Sequence, residues 1–185
     1  MSVKYKTGDD AIAHFITFAT VDWVDVFTRN LYRDIVVESL RYCIQQKGMR
    51  LHAWIIMSNH VHLIQSAASG FTIMESLRDM KKFTSKQIIK AISDNEKESR
   101  KEWMLYRFTQ AGKYNSNNKT FQFWQQDNHP IELFTPAMLK KKLNYLHENP
   151  VRAGLVKNPE DYVYGSGGDY FSNRKGLIDI EFLYT

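Results

Sequence analysis

Two histidines separated by one residue are the feature of this sequence best suited to chemistry. His60 and His62 stand in the segment IIMSNHVHLIQ, within a predicted strand. Because side chains alternate along a strand, both imidazoles project from one face and Val61 points to the other. Two imidazoles placed in this way can bind one divalent cation. A pair of hydrogen-bonding histidines on a half-buried strand explains the same motif, and the motif alone does not decide between the two.

A tyrosine and an asparagine four residues apart are the second such feature. Tyr145 and Asn149 lie in the segment KKKLNYLHENPVRAGLV, where leucines at helical spacing predict an apolar stripe. Tyr145 falls off that stripe, on the side shared by Asn149, Lys141 and Lys142. A phenol can attack phosphorus, a metal can polarise the phosphate, and lysines can hold the nucleic-acid backbone. The alternative is a partly exposed tyrosine on a basic helix.

The distribution of charge is compatible with a nucleic-acid partner. Lysine and arginine together number 25, against 20 aspartate and glutamate residues, which gives a formal net charge of +5. Such an excess permits nucleic-acid binding without proving it. Short lysine runs are commonly solvated helix faces, and that is the alternative here. The basic residues cluster at Lys81 and Lys82, at Lys140, Lys141 and Lys142, and at Arg152 and Lys157.

Length and composition exclude several classes of protein. A chain of 185 residues suits one domain that can bury a core without disulfides. The single cysteine, Cys43, excludes an intramolecular disulfide framework and zinc motifs with two or more thiolates. The sequence has no run of about 18 apolar residues, which excludes a membrane-spanning helix. The segment MSVKYKTGDD lacks the apolar core of a secretory signal, so we expect a cytoplasmic protein.

The segments that must position these residues predict an α+β fold. The order strand–helix–strand–strand–helix–strand is typical of the ferredoxin-like fold, a split βαβ arrangement with an antiparallel sheet and helices on one face. We expect an added C-terminal helix to carry Tyr145, in one catalytic domain over residues 1–185 with 151–185 packed on it as an extension. The predicted strands cover residues 11–20, 50–57, 60–65, 121–124 and 129–133. The predicted helices cover 29–46, 72–93 and 136–148, the last ending before Pro150, while 95–106 extends or follows the second helix and 112–119 forms a loop.

Taken together, the two chemical features resemble a known family. His60-Val61-His62 is similar to the His-hydrophobic-His signature of the HUH single-tyrosine transposases. The segment NYLHENPVRAGLVKNPEDYVYGS resembles the one that marks the REP-associated branch of the IS200-like transposases. Further similarity lies in HAWIIMSNHVHLI and FWQQDNHPIEL, so the resemblance covers roughly residues 14–166.

The resemblance implies a function and a set of site residues. It implies a metal-dependent, bacterial and nucleoid-associated transposase or endonuclease, monomeric or homodimeric, that cleaves and rejoins single-stranded DNA at hairpin-containing sites. Tyr145 is the implied nucleophile, which forms a 5′-phosphotyrosine intermediate. His60, His62 and Asn149 are the implied ligands of Mg²⁺ or Mn²⁺. The residues expected to bind DNA are Lys140, Lys141, Lys142, Arg152 and Arg174.

Several residues leave alternatives open. The family often has proline where this chain has Ser58, a difference that changes the hairpin turn and removes no metal ligand. His52 and His129 could approach the metal, although we expect His52 to be structural. Some aromatic side chains could stack on unpaired bases, although each by itself is expected to pack in the core: Phe123, Trp124, Tyr162, Tyr164 and Tyr170.

Two other functions fit parts of the same pattern. A domesticated relative could bind hairpin DNA without cutting it. A metal-dependent hydrolase could use the histidine pair to activate water, with no covalent step. The joint presence of His60, His62, Tyr145 and Asn149 favours the enzyme with a tyrosine nucleophile, because a pure binding protein does not need all four.

Overall fold

The computed structural model describes residues 9–113, 120–126, 128 and 130–183. Two short 3₁₀ turns, Val21–Trp23 and Val26–Thr28, follow the first strand, and a third covers Pro159–Asp161. The strands are β1 (His14–Ala19), β2 (Met49–Ile56), β3 (His60–Ala67) and β4 (Ile131–Glu132). The helices are α1 (Asn30–Gln46), α2 (Ile73–Asp94), α3 (Lys101–Lys113), α4 (Pro136–Arg152) and α5 (Gly167–Phe171).

The four strands form one antiparallel sheet in the order β2-β3-β1-β4. Strand β3 lies between β1 and β2, so the unit β1-α1-β2 is the split βαβ crossover expected from the sequence. The α+β, ferredoxin-like prediction is therefore confirmed. The β1–β3 register places Thr17 directly opposite His62 and Ala19 opposite His60.

Helices cover both faces of the sheet, and two side chains of β1 identify which helix lies where. Phe18 lies beneath Lys81 of α2, whose Nζ is 5.9 Å from the ring centroid. Phe15 points to the opposite face, where its ring contacts Tyr145 of α4 at a centroid distance of 5.9 Å. Helices α1 and α2 pack together on the first face. Helix α4 is thus the added helix, and the face that it covers is the one that presents His62.

Helix α4 begins and ends with recognisable signals, but its end differs from the prediction. Thr135 caps the first turn by accepting a hydrogen bond from the N–H of Met138 (3.2 Å), and Pro136 occupies the first helical position. The helix does not stop before Pro150 but continues to Arg152. A proline in the last turn keeps a helical φ and removes only one N–H donor, so the helix can pass through it.

The segment predicted as a strand at 121–124 is irregular instead. It makes a single bridge, between Thr20 and Trp124. Trp124 is buried, and its indole N–H donates to the Thr84 hydroxyl at 3.0 Å. Two backbone hydrogen bonds, from the N–H of Val21 to the carbonyl of Phe123 (2.8 Å) and from the N–H of Gln125 to the carbonyl of Ala19 (2.9 Å), also hold the segment against the end of β1. The charged segment at 95–106 resolves into a turn followed by α3, and the predicted loop at 112–119 lies mostly outside the described residues.

The chain after α4 returns along the free edge of β2. The N–H of Ile56 donates to the carbonyl of Tyr164 (2.9 Å), and the Tyr162 hydroxyl donates to the carbonyl of Ile56 (2.8 Å). The Tyr170 hydroxyl donates to the carbonyl of His52 (2.9 Å). These tyrosines are therefore packing residues of the fold, as Phe123 and Trp124 are. Among the described residues, no helix is long and apolar enough to cross a membrane.

Candidate active site between β3 and α4

The two histidines and the tyrosine singled out from the sequence come together where α4 crosses β3. The rings of His60 and His62 meet edge to face, with centroids 4.7 Å apart. The ring of Tyr145 lies 5.6 Å from that of His62. Tyr145 is 42% exposed, so its phenol lies at the mouth of the site and is open to a ligand from solvent. The structure thus joins the two features that are 83 to 85 positions apart in the chain.

Burial keeps His62 neutral, and only one of its two ring nitrogens is hydrogen-bonded. Its side chain is 4% exposed, and Nδ1 lies 2.7 Å from the Thr17 hydroxyl. The other nitrogen, Nε2, is buried and has no hydrogen-bond partner among the described residues. Burial first, and then the neighbouring His60, Lys142 and Arg152, lower the pKa of His62 to about 3. In the tautomer whose Nδ1–H donates to Thr17, Nε2 has a lone pair without a partner, and a cation can accept it.

Asn59 fixes the orientation of His60 through a chain of hydrogen bonds. The Asn59 amide nitrogen donates to the carbonyl of Trp23 (3.2 Å) and to the carboxylate of Asp25 (3.0 Å). Its oxygen must therefore face Nδ1 of His60, 2.8 Å away, and that nitrogen must carry the proton. The Nε2 lone pair of His60 is left for a ligand. Burial also lowers the pKa of His60, against the opposing charge of Asp25.

Two cations flank the phenol of Tyr145. The Lys142 ammonium lies 4.4 Å from the Phe15 ring centroid and 5.5 Å from that of Tyr145. The Arg152 guanidinium lies 4.7 Å from the Tyr145 ring and donates to the Tyr145 backbone carbonyl at 2.8 Å. Two positive charges close to the phenol attract a phosphate to this part of the site.

The residues fit a divalent cation only if oxygen atoms complete its coordination. Within the described ranges, no group of three His, Cys, Asp or Glu residues comes together in a metal-binding arrangement. Two imidazole lone pairs are available, from His60 and His62. Asn149 lies one turn beyond Tyr145 on α4, and its amide nitrogen is 3.5 Å from the Tyr145 carbonyl. Mg²⁺ and Mn²⁺ favour oxygen ligands, which an amide, water or a phosphate would supply.

The basic residues expected to bind DNA do not all lie at this site. Lys142 and Arg152 adjoin Tyr145, whereas Lys141 lies exposed one turn before it. Lys140 is on another side of α4, where it lines a cavity with Leu143, His147 and Tyr170. Arg174 lies beside the third 3₁₀ turn, where it donates to the carbonyl of Glu160 and lies 3.5 Å from the Asp161 carboxylate.

Two other histidines, His52 and His129, were considered because they could approach the metal. His52 is buried, with Nδ1 donating to the carbonyl of Glu181 (2.7 Å) and Nε2 accepting from the Ser66 hydroxyl (2.9 Å). Both of its nitrogens are used, so the expectation of a structural role is confirmed. His129 lies outside the described residues.

No sequence motif predicts three further residues of the site. Thr17 lies opposite His62 because of the register between β1 and β3, and the sequence of a single strand does not predict its register with another strand. Asn59 lies between the predicted strands 50–57 and 60–65, and its place directly before His60 is the signal in the sequence that points to it. Trp23 contacts His60 edge to face at 5.8 Å, from a turn with no recognisable pattern.

Comparison with known proteins places this geometry in a family. A family model described as "Transposase IS200 like" matches residues 9–120, which include both histidines and end before Tyr145. A solved structure of a REP-associated tyrosine transposase bound to a REP hairpin is similar over 100% of both chains, with a TM-score of 0.63 and 14% identity. A putative transposase from Deinococcus radiodurans is similar over 78% of this chain and 97% of its own, with a TM-score of 0.47 and 16% identity. No curated protein matches.

The two kinds of similarity carry different information. At 14% identity the solved structure supports the fold alone, which agrees with the sheet order found here. The family model rests on the sequence itself and spans more than half of the chain, from before β1 through α3. The protein therefore belongs to the IS200-like transposase family.

Proposed function

We propose that this transposase is a metal-dependent enzyme that cleaves and rejoins single-stranded DNA at hairpin-containing sites through a 5′-phosphotyrosine intermediate. The observation that carries the proposal is the unpaired, buried Nε2 of His62 beside the exposed phenol of Tyr145. A lone pair and a nucleophile on one site suit phosphodiester chemistry better than packing. The solved relative is described as bound to a REP hairpin, which makes hairpin DNA the first substrate to test.

In this proposal the chain supplies three parts of the reaction. His60 and His62, with the amide oxygen of Asn149, hold Mg²⁺ or Mn²⁺. When bound, the cation polarises the scissile phosphate and neutralises its charge. Lys142 and Arg152 stabilise the negative charge on the Tyr145 oxygen and on the phosphate.

The covalent step exchanges one phosphodiester for another. The Tyr145 oxygen loses its proton and attacks phosphorus, and the bond from phosphorus to the 3′ oxygen breaks. The 3′ oxygen takes up a proton, and the 5′ phosphate stays on the tyrosine. In the reverse direction a 3′-hydroxyl attacks the phosphotyrosine and releases Tyr145, so no external energy source is needed.

Denaturing gels with end-labelled hairpin DNA test the proposal. With Mg²⁺ or Mn²⁺, we expect a protein adduct that keeps a 3′-end label, and a released fragment with a 5′-end label. Tyr145→Phe should form no adduct, because the ring remains but cannot attack phosphorus. Tyr42→Phe is the matched control, since Tyr42 is also exposed but lies on α1, on the other face of the sheet.

The same gels distinguish the alternative functions. An adduct that persists in Tyr145→Phe would assign the nucleophile to another residue. Cleavage without any adduct would favour a hydrolase that activates water. Hairpin binding with neither product would favour a binding protein that does not cut.

A further inference from the structure

The proposed function makes no use of Trp23, although this residue has an unusual conformation next to the site. Trp23 and its neighbour Asp22 have φ values of 54° and 53°. A bulky L-residue rarely adopts positive φ, and such residues concentrate where the surrounding structure enforces them for function. The Trp23 side chain is nevertheless 53% exposed, so burial of the indole does not explain the conformation.

Several contacts hold the turn in this conformation. The N–H of Trp23 donates to the carbonyl of Thr20 (3.1 Å), and the Trp23 carbonyl accepts from the amide of Asn59 (3.2 Å). Asp22 forms an ion pair with Arg107 of α3 at 2.8 Å. Asn59 is the residue that orients His60, so one side chain sets both the imidazole and the tryptophan turn. The backbone of the turn that carries the indole is therefore held in place.

The position of the indole fits an unpaired base. Its ring lies 5.8 Å from the ring of His60, with the planes 73° apart, and about half of the side chain is exposed beside the histidine pair. Beyond the Asp22–Arg107 ion pair, α3 presents two more exposed aromatic residues, Trp103 and Tyr106. Exposed aromatics beside arginine form the usual platform for single-stranded nucleic acid, because each base offers a π-face. Duplex DNA keeps its bases stacked on each other and cannot use such a platform.

We propose that Trp23 stacks on an unpaired base next to the scissile phosphate, and that the single-stranded flank of the substrate leaves the site over Trp23 toward the aromatic face of α3. This inference rests on the proposed function, since it takes DNA as the ligand of the histidine site. It adds a binding residue that acts on the base, whereas Lys142 and Arg152 act on charge.

Binding measurements that need no cleavage test the inference. They use protein carrying Tyr145→Phe, and fluorescence anisotropy of two labelled DNAs: a hairpin with single-stranded flanks and the same hairpin with blunt ends. We expect the additional change Trp23→Ala to raise the Kd of the flanked hairpin about 5- to 150-fold, the range for loss of one stacked base. The Kd of the blunt hairpin should stay the same. Trp23→Phe should restore most of the affinity, and Tyr42→Ala, on the opposite face of the sheet, should change neither Kd.

Two further experiments distinguish loss of stacking from loss of folding and locate the stacked base. Trp23→Gly removes the indole and relaxes the positive φ, so it should fold at least as well as Trp23→Ala and show the same selective loss. A scan of abasic sites through the flank should find one position that weakens binding by the tryptophan-containing protein. That abasic site should cause no further loss in Trp23→Ala.

The results separate the two proposals. An equal loss on flanked and blunt hairpins, or no loss on either, would overturn the stacking role of Trp23. A selective loss together with the absence of any covalent adduct in the enzyme that retains Tyr145 would keep the stacking role and overturn the cleavage chemistry.

Discussion

Two pairs of histidines on this fold differ in their surroundings, since one pair lies beside Tyr145 and the other lies against the C-terminal segment. His60 and His62 on β3 each use Nδ1 for a neighbouring polar side chain, and the ring of His62 lies 5.6 Å from that of Tyr145. His52 and His147 lie against the C-terminal segment. His52 has both nitrogens engaged, and His147 lies 2.8 Å from the Ser166 hydroxyl.

The two pairs differ in the side chains around their rings, while His62, His52 and His147 are all buried and His60 is partly exposed. Burial lowers the pKa of all four imidazoles. The ring of His147 packs between aromatic neighbours, Tyr170 at 4.9 Å and Phe171 at 5.3 Å. Nδ1 of His147 has no hydrogen-bond partner among the described residues, as Nε2 of His62 has none. His147 packs against Tyr170 and Phe171, however, whereas the exposed Tyr145 lies beside His62. Substitutions can therefore separate loss of activity from loss of stability.

The largest effect is expected from removing a histidine of β3. His60→Ala and His62→Ala should each lower metal-dependent cleavage by about a hundredfold or more, because several kcal/mol of charge stabilisation are lost with the cation. The measurement is the rate of adduct formation against Mg²⁺ and Mn²⁺ concentration. His52→Gln is the control and should keep the metal dependence. If EDTA leaves cleavage by the unaltered enzyme unchanged, the histidines have no metal role.

A smaller effect is expected from the residue that orients His62. Thr17→Val keeps the shape of the side chain and removes the oxygen that bonds Nδ1. Metal affinity should fall about 10- to 100-fold, since the ring orientation is no longer fixed. Thr84→Val is a control, because Thr84 is also a hydrogen-bonded threonine but is buried on α2, on the other face of the sheet. Equal metal affinities in the two variants would show that Thr17 only contributes to packing.

We expect His147 to change how the free energy of unfolding depends on pH in the acid range. Burial lowers the pKa of His147 from 6.5 to about 4. Because the unfolded chain binds this proton more readily, the contribution of His147 is complete above pH 6.5 and is lost as the pH falls toward 4. At pH 5 the loss should be about 2 kcal/mol. Urea unfolding from pH 8 to 5 should therefore show a steeper decline for the unaltered protein than for His147→Gln, and parallel curves would contradict this.

The smallest effect is expected from the lysines of α4. Lys142→Gln should flatten the dependence of DNA affinity on salt by up to about 0.7 in logarithmic slope, the value for one phosphate contact with a single strand. Lys140→Gln serves as the internal comparison, since Lys140 lines the cavity near His147 instead of the site. Titrations from low to high salt measure both slopes. Superimposable slopes for Lys142→Gln and the unaltered protein would remove Lys142 from the DNA-binding surface.

The sequence predicts the architecture well because its signals are local. Alternating apolar residues and helical stripes depend only on near neighbours, so the order of elements and the ferredoxin-like fold follow from them. The predictions failed where tertiary contacts prevail over local preference. Trp124 is buried in an irregular segment that the sequence predicts to be a strand. Helix α4 continues past Pro150 and ends at Arg152.

The histidine pair, the tyrosine and their resemblance to a family are properties of the sequence itself, because a motif needs only residue types at fixed spacing. Which histidines lie beside Tyr145 and which pack against the C-terminal segment was decided by the tertiary structure. Thr17 meets His62 through strand register, and α4 brings Tyr145 across β3 from a distant part of the chain. The turn of Trp23 depends on Asn59 and on α3. Such contacts are set by how whole elements pack, so no short stretch of sequence contains them.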